Sequence, residues 1–419
     1  MRHKILQLQI LFLVGIPISI FSETLSLDDC LNIGMEHNQS LRINRYDTDL
    51  NISQAKSNIG MVLPTVDFSL SSGSSSIAGA SSVAGYGSSL LLTQNIWDGG
   101  VWYNTLKSVK IAQEAADTQN RSYEINTAYE VKSAFYSYLS TKKLLDVYKE
   151  NLVTSNYQHQ LTLERFRLGA ASQNDTLRTR VTIEQAKLQI INGEVDLEKK
   201  ARDLNIILGR EWDSPLELKE PVWQAVEVPD MAGIESDVLG TNPQLLLLDN
   251  NRTVSGYNVK IARAGYIPSL GFSASYSNSA LEMGDVFAEP TSNMSTQFTL
   301  RWNLFNGTRT SRGVQQSKIS AKMAEENFVL STRKVKKELA QILQTMTALN
   351  ESVEISQLIL NASEQDLLLA QEQYKIGSVS ILDVLRITAS YEDAKSNLIR
   401  TQYNLKIAEA GLLQLMGKQ

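Results

Sequence analysis

Two stretches set small and charged residues at the spacing of a tight turn between helices: Gly169-Ala-Ala-Ser172-Gln-Asn-Asp175-Thr-Leu-Arg178 and Gly377-Ser-Val-Ser380-Ile-Leu-Asp383-Val-Leu-Arg386. A glycine in the left-handed conformation ends a helix, and a serine followed at the third position by an aspartate starts the next one by reciprocal capping. Arg178 and Arg386, each three residues beyond its aspartate, are spaced for an intrahelical pair. The chemistry offered by Asp175, Arg178, Asp383 and Arg386 is therefore electrostatic, and symmetry would gather such residues from several copies into a charged ring. Other chemistries lack carriers. His3, His37 and His159 are scattered, and Cys30 is a lone cysteine, so no disulfide, thiolate-zinc or multi-histidine site is expected. Neither a nucleophile elbow, a phosphate loop nor a zinc-protease motif occurs. The expectation is no enzyme, no metal and no cofactor. Cys30 reads as a half-buried helix residue, set too far into the exported chain to carry a lipid.

Such turns need long elements to hold them. The 419 residues are 42% hydrophobic and 20% charged, the balance of a folded chain. Residues 1–22 read as a secretory signal, with Arg2 and Lys4 before the apolar run Ile10 to Ile16 and small residues near Ser22. Removing it takes the formal charge from −5 to about −7, so no nucleic-acid partner is expected. Beyond it the longest apolar runs are stubs such as Leu245 to Leu248, far short of the ~18 residues of a membrane helix. Any membrane portion must consist of strands.

Internal repetition organises the chain. Phe166 to Arg178 recurs as Tyr374 to Arg386, Asn95 to Gly99 as Asn303 to Gly307, and Leu208-Gly209 as Met416-Gly417, all at one displacement. Upstream, Asn38 matches Asn242 and Pro64 matches Pro268 at a displacement four residues smaller, which places a length change in a loop between Pro268 and Asn303. Pro215, Pro221, Pro229 and Pro243 mark the joint. The reading is a first repeat over 23–209, a Pro-rich linker over 210–242 and a second repeat over 243–419.

Within each repeat the proline-free stretches permit very long helices. Ala128, Val131, Phe135, Tyr138, Leu145 and Leu152 follow a 3-4 spacing, as do Leu339, Leu343, Met346, Val353 and Leu360. A seam this narrow is the coiled-coil habit. Helices are expected at about 100–168, 173–208, 308–376 and 381–416, the longer ones reaching ~100 Å at ~1.5 Å per residue. Period-two alternation predicts strands at about 65–73, 88–97, 269–278 and 296–305. The second of these alternates imperfectly, with Gln94 on the apolar phase and Leu91 and Trp97 on the other. The Ser/Gly-rich joints Ser71 to Ser89 and Asn278 to Ser295 read as solvated loops, Gly85-Tyr-Gly87 among them. Half-apolar strands suit either a half-buried soluble sheet or a barrel with lipid outside and water within, and periodicity does not choose; export and the solvated joints favour the barrel. Four strands cannot close one, and lipid penalises open edges by several kcal/mol per backbone group, so several chains would share it.

At this point the sequence resembles the TolC-like outer-membrane efflux protein family. The carriers are Leu63-Pro64 and Ile267-Pro268 before a strand, Ile96-Trp97-Asp98-Gly99-Gly100 and Leu304-Phe305-Asn306-Gly307 after one, and the two Gly-x-x-Ser-x-x-Asp turns. The resemblance implies a mainly α fold with a membrane β-barrel portion: duplicated long-helix coiled-coil hairpins plus four strands per chain. It implies a homotrimer forming a twelve-stranded barrel in outer-membrane lipid and a periplasmic α-helical tunnel. A periplasmic adaptor protein and an inner-membrane transporter would dock at the far tip. The implied function is a passive exit duct of a tripartite efflux or type I secretion system, gated at that tip. Residue by residue, Asp383 matches an acid of the entrance ring, while Arg386 stands where the family carries a second acid. Tyr374 and Asp175 match residues that link neighbouring hairpins and hold the tunnel closed, and Val379 replaces a linking arginine. The adaptor would meet Leu168, Gly169, Ala170, Ala171 and Ser172 on one tip and Ile376, Gly377, Ser378, Val379 and Ser380 on the other. The alternative is an exported structural or adhesive coiled-coil protein with a soluble sheet and no pore.

Overall fold

A computed structural model describes residues 24–75, 83–223, 226–287 and 292–419. The expected signal segment lies outside the described residues. In chain order the elements are β1 (Thr24–Leu25), α1 (Leu27–His37), α2 (Gln39–Ser57), β2 (Thr65–Ser75), β3 (Val83–Trp97), α3 (Val101–Arg167) and α4 (Gln173–Ile207). They continue with β4 (Glu217–Leu218), α5 (Met231–Thr241), α6 (Pro243–Arg263), β5 (Ser269–Ala280), β6 (Asn293–Arg301), α7 (Arg309–Ile376) and α8 (Ile381–Leu415).

The helices α3 and α7 run for 67 and 68 residues without a break. Left-handed residues start both: Gly99 and Gly100 before α3, Gly307 and Thr308 before α7. At the first start the Asp98 carboxylate accepts from the backbone N–H groups of Gly100 (3.1 Å) and Trp102 (2.9 Å), satisfying donors that a helix end leaves open. Each long helix pairs with a shorter partner, α4 or α8, to make a hairpin. The core sits midway along. Val131, Phe135 and Leu139 of α3 are fully buried against Cys30 of α1, Leu204 and Leu208 at the end of α4, and Leu218 of β4. In the second repeat Leu339, Leu343 and Met346 of α7 meet Val238 of α5, Leu245 of α6 and Leu405 and Leu412 of α8. Cys30 is therefore fully buried, not half-buried, because α1 lies directly on the α3 seam.

The repeats are joined to themselves in the same way. The buried side chains of Asn38 and Asn242 cap α2 and α6, accepting from Leu41 N (2.7 Å) and Leu245 N (3.1 Å). Their amides donate onward to the carbonyls of Ile207 (2.6 Å) and Leu415 (2.9 Å), at the far ends of α4 and α8. The segment expected to be a plain linker is built instead. Its β4 pairs in parallel with β1, and α5 occupies the place in the second repeat that α1 holds in the first. The second repeat thus begins near Met231, ahead of the expected 243; a proline cluster on the preceding strand side concealed this short helix.

Four strands form one antiparallel sheet in the order β2-β3-β5-β6. Strand β3 reaches back to Val83, so Gly85, Tyr86 and Gly87 belong to a strand and not to a loop; they pair with β2, and Tyr86 and Gly87 also pair with Ala280 and Ser279 of β5. A bulge between Asn95 and Trp97 shifts the β3–β5 register, returning Trp97 to the phase of Leu270. That accounts for Trp97; Gln94 and Leu91 lie before the bulge, in register with Phe272 and Ser275, and keep their places on the apolar and polar faces. The Gln94 amide donates to Val62 O at 2.9 Å. β6 ends at Arg301, four residues short of the expected 305.

Candidate functional site at the hairpin tips

Both tips are built as their turn motifs require. Gly169 and Gly377 have φ of 74° and 85°, the left-handed conformation that closes a helix C-terminus without a Cβ penalty. Ser172 Oγ then accepts from Asp175 N (3.1 Å) while Asp175 Oδ2 accepts from Ser172 N (2.9 Å), a complete capping box at the start of α4. At α8 Ser380 Oγ accepts from Asp383 N (3.2 Å) and donates to Asp383 Oδ2 (2.7 Å). The Ser380 hydroxyl and backbone hydrogen bonds, with a smaller contribution from Arg386, hold the Asp383 carboxyl below its ordinary value. Arg178 and Arg386 make no ion pair with these aspartates within 4.0 Å among the described residues; the carboxylates are committed to the caps.

The tips present small and apolar residues at their surface. Leu168 and Ile376 are 83% and 81% exposed, and Gly169, Ala170, Ser172, Gly377, Ser378 and Ser380 are exposed with them. Ala171 and Val379 are half-buried. Val379 packs against a buried cluster of Ala370, Tyr374, Ile381 and Val384, so where the resemblance leads one to look for an arginine there is an apolar plug.

Tyr374 is buried at 4% exposure, and its hydroxyl lies 3.0 Å from that of Thr162 on α3. Within the chain it does not meet Asp175, whose carboxylate serves its own cap. A residue that sequence reasoning missed dominates here. Arg165, two residues before the end of α3, stacks its guanidinium over the Tyr374 ring with 4.7 Å to the centroid. It donates to the Tyr374 carbonyl and weakly to Ala170 O at 3.4 Å. The carbonyls at the end of α7 carry the negative end of the helix dipole, so a guanidinium is suited to them. Arg165 and Tyr374 therefore join the tip of the first hairpin to that of the second. Nothing in the sequence spacing links residues 209 positions apart.

Above this joint the α3–α8 seam is polar. Gln158, 2% exposed, donates to Thr388 Oγ1 at 2.8 Å, and Thr162 and Thr388 return their hydroxyls to carbonyls of their own helices. The Asn151 amide donates to Glu392 at 2.6 Å, and burial raises the Glu392 carboxyl above its ordinary value. The seam is thus held by directional hydrogen bonds, where the packing around Phe135 is apolar. Among the described residues no group of three or more His, Cys, Asp or Glu is placed to hold a metal ion, and no helix is long and apolar enough to cross a membrane.

Comparison with known proteins places this arrangement. The family model described as outer membrane efflux protein matches residues 35–210 and 235–418. The toluene efflux pump outer membrane protein TtgC of Pseudomonas putida is 23% identical over 307 residues, covering 72% of this chain and 63% of TtgC. The outer membrane protein TolC of Escherichia coli is 21% identical over 432 residues, covering 97% of this chain and 85% of TolC. Among solved structures, CusC superimposes with a TM-score of 0.86 at 18% identity, covering 94% of this chain and 92% of CusC. The chain spans somewhat under two thirds of the length of TtgC, and nearly all of the fold of CusC.

Proposed function

Since this chain belongs to the outer membrane efflux protein family, we propose that it is the exit duct of an export system, a passive conduit through the outer membrane and the periplasm. The observation that carries the reading is the sheet. One of its faces is apolar and bare: Val66, Phe68, Phe298 and Leu300 are 60 to 69% exposed. Among the described residues the outer edges of β2 and β6 have no strand partner. Lipid accepts that face and forbids those edges, so copies close the sheet together. Three copies give a twelve-stranded barrel.

The helices carry the matching demand. Leu177, Val181, Leu188, Ile191 and Val195 form an exposed stripe on α4, and Ile355, Leu358, Ile359, Leu368 and Leu369 another on α7. Stripes at 3-4 spacing are coiled-coil seams awaiting a helix, and a homotrimer supplies one to each. The wall that results would stand ~100 Å tall, at ~1.5 Å per residue.

At its far end the tips would form the entrance. Asp383 and Arg386, with Asp175 and Arg178, would ring it with both signs of charge, so strong cation selectivity is not expected. Closure would rest on Tyr374, held by Arg165 and Thr162, and opening would part the polar α3–α8 seam. A periplasmic adaptor would dock on Leu168 to Ser172 and Ile376 to Ser380, and an inner-membrane transporter would load the duct. An adhesive coiled coil without a pore would leave the bare apolar face of the sheet in water, which disfavours it.

The test is the mass of the detergent-solubilised particle together with planar-bilayer conductance. A trimer that conducts is expected; a particle soluble without detergent and inactive in bilayers would sink the reading. For docking, cysteines at Ala170 and Ser378 should cross-link to the adaptor in cells, and no adduct at either would count against that surface.

A further inference from the structure

We propose that the barrel seam between copies is set by one charge pair, Asp67 of one copy directly opposite Arg301 of the next. The inference rests on the trimeric reading above and adds the residues that fix how its sheets join.

Across the four strands only two residues carry a charge, Asp67 and Arg301. They have opposite signs, and each sits on an edge strand, β2 or β6. They also share a face. Asp67 lies opposite Leu91, Leu91 opposite Ser275 and Ser275 opposite Ser295, and Arg301 is in phase with Ser295 along β6. Apart from Leu91, Val83 and four glycines, the rest of that face is hydroxyl and amide: Thr65 pairs with Thr93 (2.6 Å), Ser69 with Ser89 (2.7 Å) and Ser275 with Ser295 (2.8 Å). The opposite face holds Phe68, Leu70, Phe298 and Leu300, so the charged face is the one turned to a water-filled lumen.

Inside one chain the two charges cannot meet. Three strand spacings of ~4.8 Å separate their strands, and neither has an ion-pair partner among the described residues. Between copies they are driven together. β2 and β6 run in opposite directions, so β6 against the β2 of the next copy continues the antiparallel sheet. β6 has 9 residues and β2 has 11, so three registers pair every residue of β6 with a described residue of β2. They set Arg301 opposite Thr65, Val66 or Asp67. The middle one turns the polar face of one copy onto the apolar face of the next, which lipid excludes. Of the two that remain, one leaves Arg301 facing Thr65 with Asp67 on the diagonal, and the other sets Asp67 and Arg301 at the ~5 Å Cβ spacing of a direct cross-strand pair. Opposite charge selects the latter. It also sets Phe68 against Leu300 and Leu70 against Phe298 on the lipid face.

Cysteine pairs read the register in the intact protein, with Cys30→Ala removing the native thiol. Mild oxidation in the membrane should give covalent trimers on a denaturing gel for Asp67→Cys with Arg301→Cys, and little product for Thr65→Cys with Arg301→Cys. The reverse preference, or no interchain product from either pair in a protein that is trimeric in detergent, overturns the proposed pairing while leaving the trimer standing. A monomer in mild detergent overturns the trimer itself. Charge exchange is the second arm. Asp67→Arg and Arg301→Asp alone should each lower the temperature at which the trimer dissociates in SDS, and the double exchange should restore it. A double exchange no better than the single changes overturns the pair.

Discussion

The Arg165 guanidinium stacks on the Tyr374 ring, 4.7 Å from its centroid, and donates to the carbonyl of the same residue, so one side chain grips both ends of one tyrosine. Each half of the grip crosses from the first hairpin to the second. A cation–π contact and a charged hydrogen bond at a helix C-terminus together contribute about 2 kcal/mol in a partly buried setting. Arg165→Ala should therefore raise the open probability of the channel in planar bilayers by roughly an order of magnitude or more. Arg165→Lys keeps the charge and loses the planar stack, so an intermediate effect is expected. Unchanged conductance in Arg165→Ala would remove Arg165 from the closure.

Tyr374→Phe separates the parts of the same joint. It removes only the hydroxyl that meets Thr162 at 3.0 Å and retains the ring under Arg165. A loss of about 1 kcal/mol is expected, with a smaller rise in open probability than Arg165→Ala. Adding Asp175→Ala should do little beyond weakening the α4 cap, since the carboxylate is occupied by Ser172. If the double variant opens far more than Tyr374→Phe, Asp175 acts on the gate between copies instead.

The capping carboxylates give the tips an acid limit. Asp383 is held below its ordinary 3.8 by the Ser380 hydroxyl and backbone; away from the tips, Asp29 in the capping box of α1 is likewise lowered by Ser26. For a lowered carboxyl the stabilising contribution is complete above the ordinary value and fades as pH falls through the lowered one. Amide exchange in the first turn of α8 should thus be insensitive to pH-linked fraying at pH 5 to 8, and Ser380→Ala should accelerate it at neutral pH. An opposite trend, with protection growing as the carboxylate protonates, would contradict the cap.

How far the sequence reveals this molecule depends on whether the determining contact is local. The turns at Gly169 and Gly377 were legible because every group that makes them lies within a few residues. The four long helices were legible because a seam such as Val131, Phe135 and Tyr138 writes its own period. Gly85 and Gly87 misled, since glycine and serine read as loop, and only pairing with β2 and with residues near Ser279 makes them strand. Trp97 fell out of phase because a bulge is a property of two strands together. Arg165 was invisible for the same reason: its partner lies in the other repeat, and the family resemblance directs attention to Val379, which is apolar and packed.

Cys30 offers a check on the mid-tunnel core. It is fully buried beneath α1, and burial pushes its thiol up to about 12. The thiolate is the reactive form, so maleimide at pH 7 to 8 should leave the folded protein unlabelled and modify it quantitatively in denaturant. Rapid labelling of the native protein would mean that α1 does not lie on α3 as described.

The two joints between repeat ends provide the sharpest comparison of backbone constraint. Gly209 and Gly417 follow α4 and α8 with φ of 72° and 71°. A Cβ on Gly209 would run into the carbonyl of His37, and one on Gly417 would lie 2.6 Å from the carbonyl of Thr241. These are backbone atoms held in place by the Asn38 and Asn242 caps, so neither can move aside without breaking a buried hydrogen bond. Gly169 has nearly the same φ, 74°, but a Cβ there meets nothing within 4 Å. Alanine at 169 should therefore cost about 1 kcal/mol, the left-handed penalty alone. Alanine at 209 or 417 adds a clash and the strain of relieving it, for a total of about 3 kcal/mol. Thermal unfolding followed by helical circular dichroism should rank the three variants in that order, with Gly209→Ala and Gly417→Ala close together. Equal losses at 169 and 209 would show that the turn conformation matters and the contact with His37 does not.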